Sequence, residues 1–592
     1  MLGKIVYISD NEAHIQVPKD DPSSTALMNI HVIIFEDEKK QILGEVDDIS
    51  NDVIKVNFLG EIRNGKFVEG IIKKPSSEAH VRVIKKEELF ILTGQSGEDS
   101  FLLGTSPLYD DYPIYVNFND LFSNHMAIFG NTGSGKSCGV ARLLQNVFRS
   151  KNIIPFWANF LIFDSYGEYH NALKDINEIN PNYHFKYYTT SRSDKEHQLK
   201  IPIWLLDVDD IALLLGATEH AQLPIIERAL KLVRIFASDK PAAKDYKNHL
   251  IAKAIMSILF TNQTSASKRN SVFSILATCS TKEFNLLAPV KGLGYTRSFR
   301  DCFAIDTSGS FPESNLMTEY ISGFIDDNLD KYEDHDDYFF TLEDLEKALD
   351  FALISEGLLN NEKIYDAAIT LKVRLHSLII GESGKFFHYD KYIDLPNYIT
   401  SLVSVDNKKA QIVNINLEDI DDSLGKVITK LYTKMLFQFT KDLETRASAP
   451  FHIFLEEAHR YVQNDDDQRL IGYNIFERVA KEGRKYGLIL DLISQRLVEL
   501  SETVISQCSN FMIFKTSHPR DLEYIRQMLP NINSEIIEKQ KSVQPGTCVA
   551  FGRAFKVPMI VRLQMPVPEP HSSNCDIFHT WDVKRTFPKD EE

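Results

Sequence analysis

No apolar run in the chain approaches the ~18 residues needed to cross a bilayer, so no membrane contact is expected. The opening Met1–Val6 lacks the longer apolar core and small-residue cleavage site of a secretory signal, and the expected location is cytoplasmic. Cysteine is scarce: Cys138, Cys279, Cys302, Cys508, Cys548 and Cys575 are scattered and form no CxxC pair. That argues against a zinc site or a disulfide framework and suits a reducing compartment. Basic residues are outnumbered, 66 against 83 acidic, for a net charge of −17. A protein that coats DNA with its outer surface is usually basic, so non-specific surface binding is not expected. Basic groups confined to a central channel stay compatible with this balance. No internal repeat of 20–50 residues is visible.

What is present is an ordinary globular composition, 43% apolar and 25% charged. At 592 residues the chain outgrows one core and should divide into roughly three or four domains. Residues 1–95 read as short Val- and Ile-rich strands with turns between them, including Asn64-Gly65, a strong hairpin signal, and they suggest a small β-barrel. Residues 96–205 change to strand, loop, helix, strand. Met126–Phe129 is apolar, and Val140, Leu143, Leu144 and Val147 then share one helical face before the strand Phe160–Phe163. This βαβ pattern predicts an α/β fold with a parallel sheet. Residues 206–395 are mostly helical in period and look like an insertion, because sheet signals resume over 396–565. The acidic run Asp326–Asp337 reads as a solvated loop, and Thr341 with Asp344 as a helix start. Residues 566–592 read as a C-terminal tail.

Gly130-Asn131-Thr132-Gly133-Ser134-Gly135-Lys136-Ser137 fits GxxxxGK[ST] at every fixed position. Glycines let backbone N–H groups curl round phosphate oxygens, and the following helix turns its positive end toward them. Lys136 can reach the β and γ phosphates of ATP and Ser137 can ligate Mg²⁺. The strand Phe451–Leu455 ends in Glu456-Glu457, at the edge where an open α/β sheet binds its ligand. Glu456 is expected to hold Mg²⁺ through a water, and Glu457 to polarise the attacking water. Gln495, closing the strand Leu488–Ser494, is placed to hold that water or sense the γ-phosphate. Asp491 inside that strand is odd, with a buried Lys or Arg as the plain partner. Asp164 and Glu168 either orient metal-bound water or close a turn. Arg478, Lys481, Arg484 and Lys485 form either an exposed basic surface or the source of an arginine finger for a neighbouring subunit, with Arg484 favoured over Arg478 because Gly483 and Gly487 flank it.

The series IFGNTGSGKS, LIFDSYGEY, FLEEAHRYV, RVAKEGRKYG, LISQRLVELSETVISQC and TSHPRDLEYI resembles the HerA family of FtsK-like P-loop ATPases over about 560 residues. The resemblance implies a RecA-like core carrying an N-terminal β-barrel and a helical insertion. It implies a homohexameric ring that translocates along double-stranded DNA. It gives Lys136 and Ser137 the Walker A roles, Glu456 and Glu457 the Walker B roles, Gln495 the sensor role, and Arg484 or Arg478 the finger. The barrel would be an assembly or docking platform. Such proteins work with an effector protein, a nuclease (NurA-like in archaea) or a Sir2-like NAD-consuming protein in antiphage defence. Glu456 stands where P-loop ATPases more often carry Asp, and Asp491 and Ile493 depart from the small apolar residues usual in the sensor strand. Arg460, Arg469, Arg192, Lys195 and Lys200 are candidate DNA contacts. The competing reading is a ring scaffold in which ATP organises a separate effector. A secretion or conjugation coupling ATPase is weakened by the missing membrane anchor.

Overall fold

The computed structural model of the protein describes residues 2–18, 29–37, 40–50, 52–238, 240–331, 338–355, 362–528, 541, 543–572 and 576–581. Part of the acidic run, Cys575 and most of the tail lie outside them. Among the described residues no helix is long and apolar enough to cross a membrane.

Among the described residues seven antiparallel strands form the N-terminal unit: β1 (Lys4–Ile8), β2 (Glu12–Gln16), β3 (His31–Asp37), β4 (Lys40–Ser50), β5 (Val53–Arg63), β6 (Lys66–Glu69) and β7 (His80–Val83). Their order is β1-β2-β5-β4-β3-β7, with β6 on β5. Alternation puts Ala13, Ile15, Val32, Ile34, Ile54, Val56 and Val81 on one buried face. The sheet curls over that face until the Leu2 amide donates to the Val81 carbonyl at 2.8 Å. It is a curled sheet, its two end strands joined by that bond and not by a full ladder. Asn64 and Gly65 turn β5 into β6 with φ of 49° and 72°, the doubly left-handed geometry of a two-residue hairpin.

The second sheet has eleven strands. They are β8 (Ser100–Ser106), β9 (Tyr112–Asn117), β10 (Met126–Phe129), β11 (Phe160–Asp164), β12 (Phe185–Thr189), β13 (Ile412–Asn416), β14 (Phe451–Leu455), β15 (Leu488–Ser494), β16 (Asn510–Phe514), β17 (Thr547–Gly552) and β18 (Met559–Arg562). The order β12-β13-β11-β14-β15-β10-β16 is parallel throughout. From β16 the sheet continues antiparallel through β17, β18, β8 and β9. Strands β11, β13, β14, β15 and β16 are buried at every residue, as expected of parallel strands covered on both faces.

The crossover from β10 through helix α1 (Lys136–Phe148) reaches β11 by passing over two positions, those of β15 and β14. Register pairs Phe129 with Ser494, Leu492 with Leu455, and Leu455 with Phe163. The residues leaving these four strands, Gly130, Gln495, Glu456 and Asp164–Ser165, therefore emerge along one edge.

Between the adjacent strands β12 and β13 the chain makes a helical excursion. It includes Gln222–Ala237, Pro241–Leu259, Ser265–Cys279, Leu342–Ser355 and Glu362–Ile380. Thr341 starts one of these helices: its hydroxyl accepts from the Asp344 amide, and the Asp344 carboxylate accepts from the Thr341 amide, both at 3.2 Å.

Candidate nucleotide site

The loop from Gly130 to Ser137 joins β10 to α1. Gly133 and Gly135 have φ of 73° and 87°, and a Cβ on Gly135 would stand 2.5 Å from the Gly546 nitrogen. The loop is thus pressed against residues 545–546, whose Gly546 amide donates to the Ser134 carbonyl at 3.0 Å. Gly135 is the N-cap of α1 and offers no side chain to the first helical amides, which leaves them free for an anion.

Lys136 is 5% exposed, yet its Nζ has no hydrogen-bond partner, and Glu457 Oε1 lies 3.6 Å away. Ser134 Oγ, Glu168 Oε2, Tyr169 OH, Glu456 Oε2 and Glu457 Oε2 are also buried without a hydrogen bond. Native proteins rarely leave so many polar atoms unsatisfied in one place. The set combines a cation, hydroxyls and carboxylates round a glycine cradle, and it fits a triphosphate carrying a divalent cation. Among the described residues no three His, Cys, Asp or Glu side chains form a ready metal cage. A cation would share Ser137 and Glu456 with phosphate oxygens and water, the usual arrangement for Mg²⁺.

Burial, reinforced by the Asp164 and Glu168 carboxylates, pushes the Glu456 carboxyl well above its usual range, with Lys136 opposing. Glu168 is raised by burial against the pull of the Ser137 hydroxyl. Glu457 adopts φ 48°, ψ 46°, a left-handed conformation that costs a non-glycine residue on the order of 1 kcal/mol or more. It aims the carboxylate back at the loop. Gln495 bridges the two sides: its Nε2 donates to Glu457 Oε1, and its Oε1 accepts from the Thr132 hydroxyl at 2.6 Å. Asn131, Thr132, Gln495, Arg496 and Ser517 open onto a groove of about 850 Å³.

The alternatives for Asp164 separate clearly. Its carboxylate accepts from the Glu168 and Tyr169 amides at 3.0 and 2.9 Å and from Asn414 Nδ2 at 3.0 Å, so it closes the turn that presents Glu168. The expectation of a Lys or Arg beside Asp491 is corrected. Its buried partner is His452 on the neighbouring strand, with Nδ1 2.8 Å from Asp491 Oδ2. The basic series does not gather at the chain's own loop. Arg484 bonds Asn124 at 2.9 Å, before β10 begins, whereas Lys136 follows its far end. Arg478 lies against the Phe437 and Tyr473 rings at 5.6 Å each. Either arginine would have to act on another copy. Arg460 is paired with Asp422 and Lys200 with Asp390, while Arg192, Lys195 and Arg469 are exposed.

Sequence reasoning missed Tyr169 and His459. Tyr169 is fully buried and its hydroxyl feels Glu456, Asp164, Glu168 and Ser137. His459 Nδ1 lies 3.2 Å from Glu457 Oε2. Both sit inside quoted motifs, and the signal was their position next to a placed carboxylate. Also missed was the crossing of α1 by residues 564–572. Gln145 exchanges hydrogen bonds with Val567 N and Pro568 O, Arg149 donates to Val567 O, and the His571 amide donates to Glu168 O.

A parallel sheet with a glycine-rich loop at its carboxyl edge, and paired glutamates two strands away, defines a P-loop ATPase. Residues 102–285 match the family described as "Helicase HerA, central domain". A probable helicase of Methanocaldococcus jannaschii is 24% identical over 541 residues, covering 90% of this chain and 80% of that protein. The DNA double-strand break repair helicase HerA of Pyrococcus furiosus is 21% identical over 568 residues, covering 89% and 79%. A probable DNA double-strand break repair helicase HerA of M. jannaschii is 24% identical, covering 90% of each. Among solved structures, VirB4 of Thermoanaerobacter pseudethanolicus aligns with TM-score 0.44 and 12% identity, over 79% of this chain and 97% of that one. The match over residues 102–285 and the helicase relatives at 21–24% identity support a P-loop ATPase of the HerA family.

Proposed function

We propose that the protein hydrolyses ATP to drive movement of double-stranded DNA as a homohexameric ring, with an effector protein acting on what the ring delivers. The observation that carries the reading is the set of unsatisfied polar atoms round Lys136, joined to Glu457 and Thr132 through Gln495. Lys136 and the amides of Gly130–Ser137 bind the phosphates, and Ser137 with Glu456 would hold Mg²⁺. When bound, the ion neutralises charge on the transferring phosphoryl group. Glu457 polarises the attacking water, Gln495 links it to the loop, and Arg484, or failing it Arg478, completes the neighbour's site. The names of the relatives, DNA double-strand break repair helicases, support DNA as the cargo. Within this reading 1–95 is the platform for assembly or for docking a partner. Residues 96–205 and 396–565 are the RecA-like motor, 206–395 its insertion and 566–592 its tail.

The test is ATP turnover with and without linear duplex DNA. We expect turnover to rise with duplex, and Lys136→Ala to lose both nucleotide binding and turnover. Slow turnover indifferent to duplex, with assembly that depends on the effector, would replace the motor by the scaffold.

A further inference from the structure

His459 has no role in the site as described, although it follows Glu457 by two residues in the short turn Ala458–Arg460. Its side chain is 17% exposed and lies against the end of β15. Nδ1 stands 3.1 Å from Ser494 Oγ and 3.2 Å from Glu457 Oε2. Ser494 and Glu457 together favour the tautomer with its hydrogen on Nδ1. The Ser494 hydroxyl accepts from the Arg496 amide at 3.1 Å and donates its one proton to the Arg496 carbonyl at 3.3 Å. When that proton goes to the Arg496 carbonyl, Ser494 accepts from His459, and a hydrogen on Nδ1 serves both Ser494 Oγ and the acceptor-only Glu457 carboxylate. The same N–H is within reach of Glu457 Oε2, an atom with no aligned hydrogen bond of its own.

We propose that His459 is a positioning residue for Glu457, donating from Nδ1 to Oε2 when Lys136 turns to the nucleotide. The inference rests on reading Glu457 as the group that polarises water. At present Oε1 faces both Lys136 Nζ and Gln495 Nε2. A phosphate draws Lys136 away, and the Gln495 amide, its oxygen held by Thr132, reaches only Oε1 and leaves Oε2 without a donor. A carboxylate only 2% exposed then needs a donor that does not move with the ligand. His459 is that donor, because Ser494 anchors it to the sheet. Holding Oε2 fixes the carboxylate plane and leaves Oε1 to accept from water.

The experiment is steady-state ATP turnover and binding of a fluorescent ATP analogue by the full chain, for His459→Ala, His459→Asn and His459→Gln. The Asn amide sits where Nδ1–H does, whereas the Gln amide sits near Nε2. We expect Ala and Gln to lower kcat about ten- to hundredfold, with KM and analogue binding unchanged, and Asn to recover most of the loss. Ala within about twofold of wild type, Asn no better than Ala, or loss of binding in Ala would each overturn the assignment. Glu457→Gln run alongside separates the two ideas. If it turns over normally, the reading of Glu457 fails. If it is inactive while His459→Ala is active, only the role of His459 fails.

Discussion

His125, just before β10, is fully buried with both ring nitrogens committed. Nδ1 accepts from the Leu490 amide at 2.9 Å, and Nε2 donates to the Ala480 carbonyl at 3.0 Å. Only the neutral ring satisfies both. Burial first, then the Arg484 charge, and more weakly His452, lower its pKa to about 4. The unfolded chain, with an ordinary His near 6.5, binds this proton more readily, so stability rises with pH between the two values. The His125 contribution is complete above about pH 6.5 and falls by about 3 kcal/mol as pH drops to about 4. We expect thermal midpoints to drop between pH 7.5 and 5. His125→Gln should start lower at pH 7.5 but fall less steeply, and equal slopes in the two proteins would remove this histidine from the pH response. Little of this was readable in sequence. The His452–Asp491 pair joins residues 39 apart, and the left-handed backbone of Glu457 leaves no compositional trace.

Elements were more legible than contacts where the hydrophobic pattern was strong. Phe451–Leu455 and Leu488–Ser494 have the expected bounds, and Asn64-Gly65 makes the expected hairpin. Strands β8 and β9 went unread. A register shift at Leu102/Gly104 breaks their alternation, and β8 pairs far along the chain with β18. Strand order was hidden too, since nothing local announces that β15 and β14 fill the gap between β10 and β11. The same non-locality hides the packing of 564–572 on α1, where Arg142, Gln145 and Arg149 share a face and bond Gln564, Met565, Val567 and Pro568. Gln145 is 1% exposed and also donates to Ala172 O. Gln145→Ala leaves the Val567 amide without its acceptor and should cost about 2 kcal/mol. The expected reading is a lower thermal midpoint together with earlier proteolytic cleavage after residue 563. An unchanged midpoint would mean that 564–572 contributes nothing to holding α1.

For the whole molecule the decisive arrangement is that Lys136 and Arg484 lie at opposite ends of β10. In the proposed ring Arg484 would act on the neighbouring subunit's phosphate loop, through a head-to-tail contact of the kind that closes into a ring. Mixing follows from this directly. Lys136→Ala removes a subunit's own site but leaves its arginine for the neighbour. Arg484→Ala does the reverse. Each alone should be inactive, because every site in a uniform ring lacks one part. Exchanged one to one, a site works when its own chain keeps Lys136 and the neighbour keeps Arg484, about one site in four for random order. We therefore expect ATP turnover to reappear on mixing, at about a quarter of the wild-type rate if sites act independently, and not when either variant is mixed with the double variant. Arg484→Ala fully active by itself would pass the role to Arg478, and the same mixing with Arg478→Ala would then decide it.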